Sequence, residues 1–175
     1  MRKILVVVDM QNDFVTGALG STQAQAILPS VLEYVKAFSG EVLFTMDTHD
    51  PDYLDSREGK KLPVIHCVKH TPGWELVPSL DAFVKEFDCP VFCKTTFGST
   101  QLAQYLSGEN EKEAIDEIQL IGVCTDICVI SNALTLRSFL PETPISVVAS
   151  CCAGVTPQSH QTALDAMAGC QVEIL

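Results

Sequence analysis

Short apolar runs that do not alternate with polar residues are the feature that most limits how this chain can fold. Five such runs are rich in Val, Ile and Leu: Ile4–Val8, Val42–Met46, Val91–Cys93, Ile118–Val123 and Ile145–Ala149. A strand that is apolar on both faces is typical of a parallel sheet whose two faces are both covered by helices. The runs therefore predict a parallel sheet with a helical layer on each side.

Stretches with helical periodicity separate these runs. After the first run, apolar residues recur at helical spacing from position 24 to 38, and the pattern stops near Gly40. A last helix is predicted with Thr156 as N-cap, Pro157 as its first residue and Gly169 at its end. Its predicted buried stripe consists of Ala163, Leu164, Met167 and Ala168. Alternating strands and helices predict a single doubly wound α/β domain over residues 1–175, with a mostly parallel sheet.

The composition excludes several classes of protein. With 22 acidic and 11 basic residues the net charge is −11, a surface that repels phosphate backbones and anionic lipid, so we expect neither nucleic acid nor membrane as a partner. The apolar run before Asp9 is shorter than the roughly 7–15 residues of a signal peptide. The eight cysteines in 175 residues fall below the roughly 8–10% of disulfide scaffolds. We therefore expect a cytoplasmic protein with reduced thiols.

Polar side chains follow four of the apolar runs. Asp9 follows the first run, Asp47 the second and Lys94 the third, and the fourth leads into Cys124–Cys128. In an open parallel sheet, ligands bind outside the carboxyl ends of the strands. Two carboxylates, an amine and a thiol are therefore predicted to converge at one edge of the sheet.

Cys128 is a candidate nucleophile. With Thr125 or Asp126 as N-cap, Cys128 falls in a first helical turn, where unpaired N–H groups and the helix dipole favour a thiolate. Lys94 would lower the thiol pKa further and Asp9 could accept its proton, an arrangement suited to acyl transfer. The alternative is a small buried thiol without a chemical role. Five other cysteines are interpreted as small apolar residues on or near buried elements: Cys89, Cys93, Cys151, Cys152 and Cys170.

A second group of residues has the spacing of a metal site. Asp47 and His49 lie two residues apart just beyond a run, and His66 follows 17 residues after His49, with Glu58 between them. A carboxylate with two imidazoles suits Zn²⁺, Fe²⁺ or Mn²⁺ and leaves positions open for water or substrate. Because the stretch 48–78 is long and turn-rich, surface histidines in a loop are the alternative.

Five segments of the chain resemble the isochorismatase-like cysteine hydrolases. Val7–Phe14, Lys94 at the end of its strand and Gly122–Val129 are similar to the three signature segments of that superfamily. Asp47–His49 and His66–Val68 are similar to the metal segments of its nicotinamidase branch. The segments occur in the same order as in the family, and the predicted strand and helix after them suit the fold.

The resemblance implies the isochorismatase-like hydrolase fold with six strands, and an Asp9–Lys94–Cys128 triad. In that triad Cys128 attacks a carboxamide carbonyl, Asp9 passes the proton to the leaving ammonia, and Lys94 holds both electrostatically. The resemblance also implies a cis peptide bond between Val123 and Cys124. The turn at that bond would expose the N–H groups of Cys124 and Cys128 as an oxyanion hole.

The resemblance further implies a divalent metal cofactor, with zinc as the first choice and iron or manganese as alternatives. Asp47, His49 and His66 would bind the ion, which in nicotinamidases takes the pyridine nitrogen of the substrate. Glu58 matches a further ligand position used in some members of the family. Phe14 matches an aromatic residue that packs on the substrate.

The segment before His66 departs from the nicotinamidase pattern. Nicotinamidases usually have an aromatic residue three positions upstream, whereas this chain has Pro63 there, and Trp74 is the candidate for the missing wall of the ring pocket. Nicotinamide hydrolysis through a thioacyl enzyme is therefore the leading hypothesis. Hydrolysis of another small amide, such as a carbamoyl or ureido compound, is the alternative, and a catalytically idle binding scaffold is the third. By analogy with the family we expect a homo-oligomer.

Overall fold

Six strands form one sheet in the computed structural model, which describes residues 1–175. Every pairing is parallel, so the sheet is entirely parallel rather than mostly parallel. All five runs identified in the sequence are strands, and a short sixth strand lies beside the fifth. The strands are β1 (Lys3–Val8), β2 (Glu41–Asp47), β3 (Val91–Lys94), β4 (Glu117–Val123), β5 (Ile145–Ala153) and β6 (Glu173–Ile174).

The strand order is β3-β2-β1-β4-β5-β6, so β1 and β4 are central neighbours. From β1 the chain adds strands outward on one side, then returns to β4 and adds strands on the other side. The two strands pair in register from Lys3–Glu117 to Val8–Gly122. Their following loops diverge in opposite directions and leave a crevice at the carboxyl ends, where ligands bind in sheets of this type.

Seven α-helices connect the strands: α1 (Asn12–Val15), α2 (Thr22–Ala37), α3 (Arg57–Lys61), α4 (Pro78–Phe87), α5 (Thr100–Lys112), α6 (Ile130–Phe139) and α7 (Pro157–Gly169). None of them combines the length and the apolar character that crossing a membrane would require. The helix predicted between the first two runs is α2, which begins after the cap residue Ser21.

The start of α7 is as predicted from the sequence. Thr156 caps the helix, exchanges hydrogen bonds with Ser159 in a capping box, and precedes Pro157 at the first helical position. The predicted buried stripe is wrong at one position, because Ala168 lies on the exposed side of the helix. Only Ala163, Leu164 and Met167 turn toward the core, so the buried face is narrower than the apolar pattern indicated.

The two faces of the sheet contact separate apolar cores. In β1, Ile4, Val6 and Val8 pack into one core, together with residues of α5, α6 and α7. Leu5 and Val7 pack into the other, together with residues of α2 and α4. All five side chains are fully buried. This two-sided burial is why the strand sequences do not alternate.

The turn-rich stretch after β2 contains two short helical elements rather than an irregular loop. A 3₁₀ turn spans Tyr53–Asp55, and Ser56 then caps α3 by accepting a hydrogen bond from the Gly59 N–H. His49 and Val68 form an isolated parallel bridge. This bridge brings the two halves of the stretch together next to the carboxyl end of β2.

The eight cysteines form no disulfide. Cys151 and Cys152 are buried and Cys89 is half-buried, in agreement with their interpretation as small apolar residues. That interpretation is wrong for Cys93 and Cys170, which are exposed. Cys93 belongs to β3, the edge strand of the sheet, and Cys170 follows the last residue of α7.

Gly122 permits a close backbone approach between β1 and β4. Its φ is +116°, and a Cβ at this position would lie 2.2 Å from the Val8 carbonyl oxygen. We expect Gly122→Ala to lower the free energy of unfolding by about 3 kcal/mol or more, because strain and steric overlap add. Urea unfolding monitored by circular dichroism measures this change.

Gly108→Ala is the matched control for that substitution. Gly108 lies in α5, and an added Cβ there meets no atom within 4 Å. Alanine should therefore stabilise the helix by about 0.5–1 kcal/mol. Equal stability of the two variants would contradict the close β1–β4 contact.

Candidate active site and metal centre

Asp9, Asp47, Lys94 and Cys128 meet at the carboxyl edge of the sheet. Asp9 directly follows β1, Asp47 ends β2, Lys94 ends β3, and Cys128 lies in the first helical turn after β4. None of the four residues is more than 5% exposed. The structure thus brings together all four groups that the strand ends predict.

The ammonium group of Lys94 lies at the centre of this cluster. Its Nζ is 2.6 Å from Asp9 Oδ2, 3.5 Å from Asp47 Oδ1 and 3.5 Å from Cys128 Sγ. Burial lowers the pKa of Lys94, but the charge of Asp9 and the other acidic neighbours outweighs burial and raises the pKa above its ordinary value. Lys94 is therefore a permanent cation in contact with three acidic groups.

Asp9 has a backbone conformation that is rare outside glycine, with φ at 49°. Its N–H donates to the Thr45 carbonyl at 3.2 Å, and its Oδ1 accepts from the Thr45 hydroxyl at 2.6 Å. Burial raises the pKa of Asp9, although Lys94 and the Thr45 hydroxyl act in the opposite direction. A raised pKa brings a carboxyl group closer to the range in which it can both accept and return a proton.

The turn that carries Cys128 is a π-helical turn over Thr125–Val129. The residue at its N-cap is Cys124, and no side chain caps the turn, so the expected cap at Thr125 or Asp126 is wrong. Both side chains have other partners. The Thr125 hydroxyl contacts the ring of His160 at 2.8 Å, and the Asp126 carboxylate accepts a backbone N–H from the loop after β5 at 3.1 Å.

The Cys128 thiol favours its neutral form in this environment. Burial raises the pKa of Cys128 well above its ordinary value, and Asp9 raises it further, while Lys94 lowers it. Lys94 therefore acts in the expected direction, but its effect is smaller than that of burial, so the expected net preference for a thiolate is wrong for the free protein. Nearly complete burial removes the water that would solvate the anion, and this effect outweighs a single cation 3.5 Å away.

The chain enters this turn through a cis peptide bond between Val123 and Cys124, as the resemblance implies. The Cys124 carbonyl accepts hydrogen bonds from the N–H groups of Ile127 at 3.1 Å and Val129 at 3.0 Å. Cys128 lies between Ile127 and Val129. Its N–H does not bond to the Cys124 carbonyl, which would be its partner in an α-helix. Cys124 and Cys128 both line a cavity next to this turn.

The four predicted metal residues also come together. Asp47, His49, Glu58 and His66 each offer a ligand atom, and these atoms lie within 4.8 Å of one another. His49 Nε2 is 2.9 Å from Asp47 Oδ2 and 3.7 Å from Glu58 Oε1, and the corresponding distances from His66 Nε2 are 3.5 and 3.9 Å. Both histidines are buried, which excludes the alternative of surface histidines in a loop.

The donor set fits a divalent cation. His49 Nε2 is buried without a hydrogen-bond partner, and a cation shared with the carboxylates would satisfy it. His66 Nδ1 lies 2.7 Å from the Val64 carbonyl, which fixes the proton on Nδ1 and directs the Nε2 lone pair to the group. Burial acts to raise the pKa of Asp47, but its close contacts with His49 and His66 and the charge of Lys94 hold it well below its ordinary value. Nitrogen and oxygen donors of this kind suit zinc, iron or manganese.

Two side chains that the sequence did not reveal support these residues. The Gln11 side chain donates to the Asp47 carbonyl and accepts from the Asp47 N–H, both at 2.8 Å, and donates to the Trp74 carbonyl at 2.7 Å. The Asp13 carboxylate accepts from the Cys67 N–H at 2.8 Å, next to His66 in the chain. The only signal for Gln11 and Asp13 is their position just after Asp9, because their partners are backbone groups far away in the sequence.

A cavity of about 920 Å³ opens beside Cys128 and the metal group. Phe14 lines it, with its ring centroid 5.6 Å from that of His66. Other apolar side chains complete the walls: Leu19, Leu62, Phe97, Ile127 and Val155.

Trp74 does not line this cavity, so its expected role as a second wall is wrong. Its indole N–H donates to the Thr48 hydroxyl at 2.9 Å, and its ring packs against His70 with centroids 5.5 Å apart. The Trp74 carbonyl bonds to Gln11, which fixes the tryptophan behind the metal group. Leu62 and Phe97 line the cavity together with Phe14, whereas Trp74 does not.

The comparison with known proteins agrees with this geometry. The model of the isochorismatase domain family matches residues 3–175. The chain belongs to this family. Among curated members, the nicotinamidase/pyrazinamidase of Mycobacterium tuberculosis is 28% identical over 204 aligned positions, which cover 99% of this chain and 98% of the relative.

Solved structures in the isochorismatase family have the same fold. The pyrazinamidase/nicotinamidase of Streptococcus mutans superposes with a TM-score of 0.85 at 27% identity, covering 99% of both chains. The pyrazinamidase of Pyrococcus horikoshii, solved in complex with zinc, superposes with a TM-score of 0.82 at 26% identity, covering 100% of this chain and 99% of the other.

Metal binding by the four ligand residues should stabilise the folded protein. Addition of zinc to chelator-treated protein at about 100 times its dissociation constant should contribute about 2.7 kcal/mol, which raises Tm by about 5–10 °C for a chain of this size. His66→Ala should abolish the shift in differential scanning calorimetry. His70→Asn removes a histidine outside the group and should leave the shift intact; equal shifts in both variants would contradict the assigned ligands.

Proposed function

We propose that this protein is a cysteine-dependent amidohydrolase that converts nicotinamide and water to nicotinate and ammonia. The observation that carries the proposal is the contact of Lys94 Nζ with both Asp9 Oδ2 and Cys128 Sγ at the wall of a cavity that also reaches the metal group. The 28% identity to a nicotinamidase/pyrazinamidase over 99% of this chain supports the choice of substrate.

In the first half of the reaction Cys128 is the nucleophile and Asp9 the base. Because the pKa of the thiol is raised, ionisation requires transfer of its proton to Asp9 as Sγ approaches the carboxamide carbon. The oxyanion that forms accepts hydrogen bonds from the N–H groups of Cys124 and Cys128. Asp9 then donates the proton to the amide nitrogen, the C–N bond breaks, and ammonia leaves behind a thioester on Cys128.

In the second half water replaces the amine. Asp9, now a carboxylate again, takes a proton from a water molecule as the water oxygen attacks the thioester carbonyl. The same two N–H groups hold the second oxyanion, the C–S bond breaks, Asp9 returns its proton to the Cys128 sulfur, and the acid is released. Lys94 remains protonated throughout, because its raised pKa keeps its charge beside Asp9 and Cys128.

Asp47, His49, His66 and Glu58 are the residues that would hold the divalent ion in this proposal. Such an ion, when bound, supplies an electrophilic position to which a pyridine nitrogen can coordinate. Zinc is the first choice because both ligand types suit it, and iron and manganese are alternatives. Phe14 lines the same cavity beside His66 and can pack on the substrate ring.

A different small amide is the second candidate substrate. A cavity of about 920 Å³ lies near the upper end of the range of roughly 300–1,000 Å³ found for sites of drug-sized ligands. Nicotinamide is smaller than such ligands, so the site has room for other carboxamides, carbamoyl compounds or ureido compounds.

The charge and the thiols of the chain bear on where the enzyme works and on what it binds. The partner is a small-molecule amide, with no nucleic acid and no membrane, in keeping with a net charge of −11. A cytoplasmic location is supported by eight unpaired cysteines. A homo-oligomer stays a prediction by analogy with the family.

Replacing the nucleophile tests the proposed reaction. Cys128→Ala should lower the rate of ammonia release from nicotinamide by about 10³-fold or more, because the covalent route is lost. Cys170→Ala changes an exposed cysteine after the end of α7, away from the site, and should retain full activity. Activity that survives Cys128→Ala would refute the mechanism. Turnover of a carbamoyl or ureido compound instead of nicotinamide would favour the second candidate, and inactivity on every amide would favour the scaffold hypothesis.

The pH dependence of the reaction should show the state of Asp9. The base must be ionised in the free enzyme, so kcat/KM should fall tenfold per pH unit below the pKa of Asp9. Burial raises that pKa, which places the acidic limb above the ordinary aspartate value of about 4. A stopped assay of ammonia release from pH 4 to 9, in the presence of saturating metal, measures the limb. A constant rate across that range would contradict Asp9 as the base.

A further inference from the structure

The loop after β3 carries one apolar wall of the cavity. Thr95, Thr96 and Phe97 all line the cavity, and the Phe97 side chain is 45% exposed. Side-chain packing therefore restrains Phe97 only in part. The distance between this wall and Cys128 depends on how the loop backbone is anchored.

Asn132 anchors that loop to the residue that carries the thiol. It lies on α6, four residues after Cys128, and is fully buried. Its Nδ2 donates to the Cys128 carbonyl at 2.8 Å and to the Phe97 carbonyl at 3.2 Å, and its Oδ1 accepts from the Ser99 N–H at 2.9 Å. Both amide hydrogens and the amide oxygen are thus used, and they join three backbone groups.

The backbone of this loop also lies close against α6. A Cβ at Gly98 would lie 2.8 Å from the Thr135 hydroxyl and 2.9 Å from the Ser131 carbonyl, so the backbone there rests directly on the helix. Ser99 then caps α5 through a hydrogen bond from the Leu102 N–H at 3.1 Å. The Asn132 amide is the polar link between these two helices at the cavity wall.

We propose that Asn132 is a positioning residue that fixes the Phe97 wall relative to Cys128 and thereby sets which ring fits beside the reacting carbonyl. Its amide bonds to backbone groups, and Asn132 is not among the residues that line the cavity, so it acts through Phe97. The proposal rests on the proposed function for its substrate, and it adds a specificity element that no residue of the Asp9–Lys94–Cys128 group provides.

A double-mutant cycle on nicotinamide hydrolysis tests this role. Asn132→Ala and Phe97→Ala should each raise KM by about tenfold, with kcat changed less than about threefold, because an aromatic contact of about 1.4 kcal/mol is lost or misplaced. The double variant should have the KM of Phe97→Ala alone, since no ring is left to position. Independent effects that multiply to about 100-fold would overturn the proposal, as would an unchanged KM in Asn132→Ala.

Asn132→Thr can keep the hydrogen bond to the Cys128 carbonyl while it removes the hydrogen bonds to the loop. A threonine hydroxyl can donate to the carbonyl four residues earlier, here that of Cys128, but it does not replace the bonds to Phe97 and Ser99. We expect the KM of this variant to match that of Asn132→Ala, and a wild-type KM would overturn the proposal. If Asn132→Ala does not fold, Asn132→Thr takes its place in the cycle. Ser138→Ala is the control, because it removes a similar bond to the Leu134 carbonyl at an exposed position of the same helix.

An assay that does not need turnover distinguishes failure of this proposal from failure of the proposed function. The rate of Cys128 alkylation by iodoacetanilide, divided by the rate with iodoacetamide, reports how well an aromatic ring is received beside the thiol. This ratio should be lower in Asn132→Ala than in the wild-type protein. In the double variant it should equal the ratio of Phe97→Ala alone. If the variants change the ratio as expected but the wild-type protein leaves nicotinamide intact, only the proposed function is refuted. If Asn132→Ala leaves the ratio at its wild-type value, the positioning role is refuted.

Discussion

One buried cation, the ammonium group of Lys94, holds the site together. Asp9 and Asp47 are carboxylates on neighbouring strands, and burial of either without a counter-charge would cost several kcal/mol. Lys94 contacts both at 2.6 and 3.5 Å, and its Cα pairs in register with that of Asp47. A slip of one residue between β2 and β3 would turn Lys94 to the other face of the sheet and leave both carboxylates without their ammonium partner. Strand register and site chemistry are therefore fixed by the same contact.

The sheet topology determines where the other groups can lie. β1 and β4 are adjacent, but the chain leaves them toward opposite sides, so Asp9 and the turn after Val123 border one crevice. Gly122 permits the close approach of the two strands directly below that crevice. The metal group adds a third side, because the His49–Val68 bridge folds the long stretch after β2 back onto the strand end.

Properties that depend on the order of residues along the chain could be predicted from the sequence. The apolar runs identify the strands, and the polar residues that follow them, such as Asp9, converge because parallel strands all end at one edge. Properties that depend on burial or on distant partners could not. The raised pKa of Cys128 results from exclusion of water, Trp74 is turned away by its bond to Thr48, and Asn132 bonds to a loop 33 to 35 residues earlier. No local pattern encodes these contacts.

The neutral state of the Cys128 thiol also affects how readily the sulfur binds metal ions or is oxidised. The thiolate, not the thiol, is the form that binds zinc and that peroxides oxidise. With its pKa raised by burial, Cys128 is a poor competitor for an ion held by Asp47 and His66. The exposed Cys93 and Cys170 meet oxidants in solution first. In the proposed mechanism, the burial that makes proton transfer to Asp9 necessary thus also lowers the reactivity of the sulfur toward metal ions and oxidants.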